Sequence, residues 1–255
     1  MEISGKMAAV VTGGASGLGE AVARHLAALG ARVALFDMDR GRGEAVAAGI
    51  GGVFAAVDVS DPQSVAKGFA MARAAHGGER ICVNCAGIAP ASKTVGKGQA
   101  HDPDLFAKVI GVNLIGTFHV ASQSAAGMVA LEPEGPDGER GVIVNTASVA
   151  AWDGQMGQAA YAASKAGVAG LSLPMARDLA REAIRVVAVA PGLFGTPMLR
   201  GLPDEVQESL GNQVPFPPRL GHPEEFAALV GHIVDNPMLN GESIRLDGAI
   251  RMAPR

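Results

Sequence analysis

The chain has 255 residues, 48% of them apolar and 18% charged, and a net charge of −4 at pH 7. That is enough for one large α/β domain or two small ones with a real core, and it excludes a disordered chain. The mild negative charge excludes steering toward nucleic acid or an anionic membrane, no apolar run reads as long as a membrane span, and two cysteines exclude a disulfide scaffold.

Met1-Glu2-Ile3 runs almost directly into a strand-like stretch without a basic-then-apolar leader, so a secretory signal is not expected. Met7 to Val11 reads as a buried strand. It enters Thr12-Gly13-Gly14-Ala15-Ser16-Gly17-Leu18-Gly19, followed by a helical pattern through Leu29. Strand, glycine-rich turn and helix form the phosphate cradle of a dinucleotide-binding βαβ unit. The glycines let backbone approach a pyrophosphate, and the helix N-terminus offers N–H groups and partial positive charge. A tight turn with no ligand would have the same local pattern. The next strand, Arg32 to Phe36, ends at Asp37, about twenty residues past the glycines, where adenosine ribose hydroxyls need an acceptor. A carboxylate there repels a 2′-phosphate, which favours NAD over NADP. Arg40 and Arg42 read as solvated loop charges rather than phosphate binders.

Val53 to Val57 is a third strand, ending at Asp58-Val59. Asp58 is placed to accept from an adenine amino group or to cap the helix that begins near Asp61-Pro62, although Ser60 or Asp61 suits the cap better. Ile81 to Asn84 is the fourth strand, followed by Cys85-Ala86-Gly87. Cys82 and Cys85 make a C-x-x-C pair, but residues i and i+3 of a strand face opposite ways and no further Cys pair or nearby His completes a metal site. Both read as packing residues. Ile88 to Pro103 is a long polar loop carrying Lys93, Lys97 and His101, the last read as non-catalytic. A long helix starts at Asp104 and holds Asn113 among apolar neighbours. A mid-helix Asn is mildly unfavourable and demands a reason: a bend, a bound water or a bond to a neighbouring strand.

Glu132 to Arg140 reads as an exposed turn, and Val142 to Thr146 as the fifth strand, running into Ala147-Ser148. After the loop Trp152-Asp153-Gly154-Gln155 comes Tyr161-Ala162-Ala163-Ser164-Lys165, which holds the chain's one tyrosine. Four residues apart on a helix, Tyr161 and Lys165 share a face. An ammonium beside a phenol favours the phenolate and lowers its pKa from about 10 toward the working range. The pair can therefore move a proton to or from a hydroxyl or carbonyl oxygen. Ile184 to Ala190 is the sixth strand, closed by Pro191-Gly192. From 193 to 220, apolar residues (Leu193, Phe194, Met198, Leu199, Leu202, Val214, Phe216) alternate with turn formers, as in a substrate lid or an excursion packed on its own domain. Pro223 to Val234 is a last helix and Ser243 to Leu246 a last strand. With no repeat or linker, residues 1–255 form one domain.

The ordered set Thr12-Gly13-x-x-x-Gly17-x-Gly19, Asp37, Asp58, Asn84-Cys85-Ala86-Gly87, Asn113, Ser148, Tyr161-x-x-x-Lys165 and Pro191-Gly192 resembles the short-chain dehydrogenase/reductase family over the whole chain. Asn84 to Ala89 with Ala91 to Thr94, Gly157 to Tyr161, Ala190 to Pro197, Gln213 to Pro217 and Ile244 to Met252 resemble the type II 3-hydroxyacyl-CoA dehydrogenases, also known as 17β-hydroxysteroid dehydrogenase type 10. The resemblance implies a doubly wound, Rossmann-type α/β fold with a seven-stranded parallel sheet, NAD as cofactor and a homotetramer. It implies that Tyr161 is the general acid–base, that Lys165 lowers its pKa and holds the nicotinamide ribose, that Ser148 donates to the substrate oxygen, and that Asn113 holds a water behind Lys165. Gly13, Ser16, Gly17, Leu18, Gly19, Asp37, Asp58, Val59, Asn84, Cys85, Ala86, Gly87, Tyr161, Lys165, Pro191, Phe194 and Thr196 would line the cofactor. Ser148, Gln155 and Tyr161 would face the substrate, and no metal is implied.

The expected reaction is reversible oxidation of the 3-hydroxyl of a 3-hydroxyacyl-CoA, with Lys93 and Lys97 read as surface charges more than as CoA contacts. Another secondary alcohol, such as a hydroxysteroid, is the alternative substrate. A non-catalytic dinucleotide-binding scaffold is disfavoured, because Asn113, Ser148, Tyr161 and Lys165 are all present. The mitochondrial relatives have a longer N-terminus, so a cytoplasmic protein is expected. Trp152 stands where a smaller aromatic is expected, which bears on acyl-chain length.

Overall fold

The computed structural model describes residues 1–201 and 203–254, apart from the side chains of Met198 and Arg200. Seven parallel strands form the central sheet: β1 (Ala8–Thr12), β2 (Arg32–Asp37), β3 (Val53–Ala56), β4 (Glu79–Asn84), β7 (Gly141–Thr146), β8 (Ile184–Pro191) and β9 (Ser243–Leu246). Their spatial order is β3-β2-β1-β4-β7-β8-β9. Winding reverses between β1 and β4, which opens a crevice at the carboxyl ends of these two strands.

Strand alternation sorts the core into two layers. Val11, Val33, Leu35, Val83 and Val144 face one way, onto α1 (Gly17–Ala28) and α9 (Pro223–Asp235). Val10, Ala34, Phe36, Cys82 and Ile143 face the other way, onto α3 (Pro62–His76), α5 (Gly116–Val129) and α6 (Ala159–Asp178). The strands read as continuous apolar runs because both faces are covered. Cys82 belongs to the second layer, whereas Cys85 packs against the first.

Four readings need correction. The long helix is not uniform: α4 (Pro103–Ile110) passes through a π-helical turn, Gly111–Ile115, before α5. By length and composition the run Pro103–Val129 is also apolar enough to cross a membrane, with a third of its most apolar window buried. The small residues Ala, Gly, Ser and Thr hide this in the sequence. The turn Glu132 to Arg140 ends on a buried residue: Glu139 is 7% exposed and accepts from Arg185 Nε at 2.6 Å. The loop before α4 carries a small antiparallel pair, β5 (Val95–Gly96) and β6 (Gln99–Ala100).

The segment from 193 to 220 includes α7 (Pro197–Arg200) and α8 (Asp204–Gly211). It is anchored as well as peripheral. Phe194 and Val214 are buried, Phe194 meets Phe226 edge-on at 6.4 Å, and Arg219 forks onto Glu225 at 2.7 and 2.9 Å. Phe216 is 80% exposed. Leu202 and the Met198 side chain lie outside the described residues.

Candidate active site

A cavity of about 980 Å³ fills the crevice. The glycine-rich turn closes its floor. Gly13 has φ +65°, and a Cβ there would come 2.8 Å from Ala86 N. A Cβ on Gly19 would come 2.2 Å from Gly13 O, so the first turn of α1 lies directly on the loop. Thr12 Oγ1 accepts from Cys85 N and Ala86 N, both at 3.1 Å, and so locks β1 to the segment after β4. A carboxylate steadies the other side of the turn: Asp37 accepts from Ala15 N through Oδ2 and from Asp39 N through Oδ1, each at 3.0 Å. Asp58 Oδ1 accepts from Ser60 N and Oγ, whereas Asp61 caps α3 by accepting from Gln63 N at 2.8 Å. Asp58 is therefore free of the capping role.

Of the residues singled out in the sequence for cofactor, Gly13, Ser16, Gly17, Leu18, Gly19, Asp37, Asp58, Val59, Cys85, Ala86, Gly87, Tyr161, Lys165, Pro191, Phe194 and Thr196 line this one cavity. Asn84 does not. It is the last residue of β4, and its side chain turns into the sheet to donate to Asn145 Oδ1 at 2.9 Å. Cys85 takes a hydrogen bond from Thr146 Oγ1 at 3.4 Å, and burial pushes its thiol up to about 11. Among the described residues, no cluster of His, Cys, Asp and Glu is arranged to hold a metal.

Ser148, Tyr161 and Lys165 share the cavity wall opposite the glycines. The i, i+4 spacing on α6 does bring the last two together: Lys165 Nζ lies 5.8 Å from the Tyr161 ring centroid. Burial raises the phenol pKa, and a hydrogen bond from the Ser148 side chain opposes that rise. Lys165 is 5% exposed, donates to Thr146 O at 2.7 Å, and is pulled down to about 8 by burial.

Asn113 lies behind this wall, not on it, and is 0% exposed. Its Oδ1 accepts from Ile88 N at 2.8 Å, and its Nδ2 donates to Ile88 O at 2.9 Å and Ser164 Oγ at 3.0 Å. Both N–H donors are spent, so a water there would be held by a remaining oxygen lone pair. The π-turn explains the mid-helix Asn. It widens the helix locally, as such turns do at functional sites, and lets the carboxamide bridge the loop after β4 to α6. Gly87 fills the gap between them: a Cβ there would come 3.2 Å from Asn113 Oδ1 and 3.7 Å from Lys165 Nζ.

The substrate side has walls that local sequence does not announce. Gln155 lines the cavity, and its Nε2 donates to Ala253 O at 3.0 Å. Met156 N donates to Pro254 O, also at 3.0 Å, and Met252 joins the lining. Lys108 and Gln158 are further lining residues not singled out in the sequence. Trp152 is not a lining residue; its ring faces the Arg245 guanidinium at 5.5 Å. His101 meets Phe106 edge-on, away from the cavity.

Comparison with known proteins agrees with this geometry. The family profile described as short chain dehydrogenase matches residues 7–207. A human protein named 3-hydroxyacyl-CoA dehydrogenase type-2 is 54% identical over 252 residues, covering 97% of this chain and 96% of its own. A protein of that name from Drosophila melanogaster is 53% identical over 249 residues, covering 96% and 97%. The crystal structure of a 3-hydroxyacyl-CoA dehydrogenase type-2 from Mycobacterium avium superimposes with a TM-score of 0.93 at 40% identity, covering 98% of both chains. With its glycine turn, its serine–tyrosine–lysine wall and these relatives, the chain belongs to the short chain dehydrogenase family of oxidoreductases.

Proposed function

We propose that this protein is an NAD-dependent dehydrogenase that reversibly oxidises the 3-hydroxyl of a 3-hydroxyacyl-CoA to a ketone. One observation carries the chemistry: Ser148, Tyr161 and Lys165 face the same cavity as the glycine cradle and Asp37. The names of the relatives support the acyl-CoA substrate.

The cavity fits a dinucleotide. Gly13 and Gly19 pack the turn's backbone directly against Ala86 and the first turn of α1, so that the turn's glycines line the cavity, and the Asp37 carboxylate offers an acceptor to ribose hydroxyls while repelling a 2′-phosphate. Bound NAD supplies the hydride acceptor of the reaction. Tyr161 takes the hydroxyl proton during oxidation and returns it during reduction. Ser148 donates to the substrate oxygen, where negative charge develops. Lys165 holds ribose hydroxyls with the donors that Thr146 O leaves free. Asn113 fixes the Ile88 loop and the helix bearing Tyr161 around that group, and a water on its free lone pair would extend the proton path. Segment 193–220 acts as a cover whose ends are anchored.

The protein is further proposed to assemble as a homotetramer. Phe106, Ile115 and Phe118 on the α4–α5 run and Leu173 on α6 expose apolar surface that a second copy would cover, which also accounts for the run's apolar character without a membrane. Sedimentation velocity tests this; a monomer at micromolar concentration would refute it. A cytoplasmic setting is proposed on the two free cysteines, Cys82 and Cys85, and microscopy of the tagged protein in its own cells checks it.

The deciding assay is NADH oxidation with acetoacetyl-CoA, run beside NADPH. Turnover with NADH alone supports both substrate and cofactor. Intact NADH binding without turnover moves the substrate to another secondary alcohol or ketone.

A further inference from the structure

We propose that Arg245 is a positioning residue for the substrate half of the site, clamping the loop before α6 and the C-terminal tail into a single wall. The proposal rests on the dehydrogenase reading of the cavity. Arg245 lies on β9 in register with Ala190 of β8. Its Nη2 donates to Asp153 Oδ2 at 2.6 Å and to Ile250 O at 3.0 Å, and its Nε donates to Asp247 Oδ2 at 2.7 Å. Its guanidinium also faces the Trp152 ring. One side chain thus joins two stretches ninety-two residues apart, Asp153 and Arg245.

The consequence appears beyond the clamp. Past Asp153 and Ile250, the same two stretches meet again through Gln155 Nε2 to Ala253 O and Met156 N to Pro254 O. Those bonds hold Gln155 and Met252 on the cavity. Asp247 backs the cavity from another side: a Cβ on Gly192, a lining residue, would come 2.9 Å from Asp247 Cα and Cβ. Arg245 does not itself line the cavity. It acts through Gln155 and Met252, which the tail and the loop before α6 hold on the cavity, and so on substrate binding rather than on cofactor or proton transfer. The planar fork is needed, because a lysine ammonium cannot present separate N–H groups to two carboxylates and a carbonyl in that geometry.

The test is steady-state kinetics of Arg245→Gln and Arg245→Lys with acetoacetyl-CoA and NADH, together with amide hydrogen exchange at Met156. In Arg245→Gln the KM for acetoacetyl-CoA is expected to rise roughly tenfold or more, as loss of a charge-assisted bond implies. The KM for NADH and kcat should stay within about twofold. Arg245→Lys should recover part of the loss, and the Met156 amide should exchange faster in both variants while β1 and β4 amides are unchanged. An unaltered Met156 amide, or a uniform change in kcat and both KM values, would overturn the clamp. If the wild-type protein does not turn over acetoacetyl-CoA, the substrate reading fails, and Met156 exchange still decides the role of Arg245.

Discussion

Lys165 donates to the main-chain oxygen of Thr146 at 2.7 Å, while its Nζ lies 5.8 Å from the ring centroid of Tyr161, four residues earlier on the same helix. The ammonium is thereby held at the cavity wall with donors to spare, and burial has already brought its pKa down to about 8. Ribose hydroxyls and the negative pyrophosphate favour the charged form, so cofactor binding should raise this pKa and take up a proton. The sign follows by linkage. Below pH 8 the lysine is charged before and after binding, and affinity is flat; above pH 8 the free protein must first be protonated, and affinity falls by up to about tenfold per pH unit. Titration calorimetry of NADH binding in buffers of different ionisation enthalpy measures both effects. A dissociation constant unchanged from pH 7 to 10, without proton uptake, would exclude Lys165 as the titrating contact.

Tyr161→Phe removes the one oxygen placed to exchange a proton with the substrate. Turnover should fall by several orders of magnitude, general acid–base catalysis alone being worth about 10² to 10⁴, while NADH affinity stays near wild type. Ser148→Ala should also lower kcat and remove the side chain that opposes the burial-driven rise of the phenol pKa. The acid-side limb of its rate profile in the oxidative direction, where Tyr161 must lose its proton to act as base, therefore moves to higher pH. Rate profiles of the two variants against pH separate these roles, and wild-type turnover by Tyr161→Phe would disprove the assignment.

Asp37 has two duties, and two substitutions separate them. Its oxygens hold the glycine loop at Ala15 N and the next turn at Asp39 N. Asp37→Asn keeps an acceptor but removes the charge, whereas Asp37→Ala removes both. The repulsion of a 2′-phosphate about 4 Å away is worth roughly 1–4 kcal/mol between bulk-water and near-surface screening. Asp37→Asn should raise NADPH use relative to NADH by about tenfold or more, and Asp37→Ala should also weaken NADH. The ratio of kcat/KM for the two cofactors is the readout. An unchanged ratio in both variants would mean that other groups read the ribose.

The sheet was legible because its strands are apolar runs that end in chemistry: Val10-Val11 before the glycines, Phe36 before Asp37, Val83-Asn84 before Cys85. The site was legible where spacing alone places it, as with Tyr161 and Lys165 on one helix face. What escaped depends on partners far away in sequence. Glu139 reads as a loop charge until Arg185 is found beside it. Met252 has no local mark of the bonds, made by Gln155 and Met156, that bring the tail to the cavity. Asn84 is subtler: its position in the motif was seen, but the direction of a strand's last side chain depends on its neighbour Asn145. The π-turn did leave a trace, an unfavourable Asn inside a helix, whose reason only the Ile88 loop supplies.

That trace also makes the sharpest stability prediction. Asn113→Ala would strip partners from Ile88 N, Ile88 O and Ser164 Oγ at once. Each buried polar group left unpaired costs about 1–3 kcal/mol, and relaxation or water recovers part of it, so a loss of about 2–4 kcal/mol is expected. Asn113→Asp keeps the acceptor for Ile88 N but places a carboxylate against Ile88 O, and should be no better tolerated. Urea unfolding followed by circular dichroism gives the number. The same variants should loosen the loop around Gly87, which lies between Asn113 and Lys165, so turnover should fall further than folded fraction alone explains. A variant as stable and active as wild type would show that the carboxamide bridge is dispensable, and that the π-turn is held open by other packing.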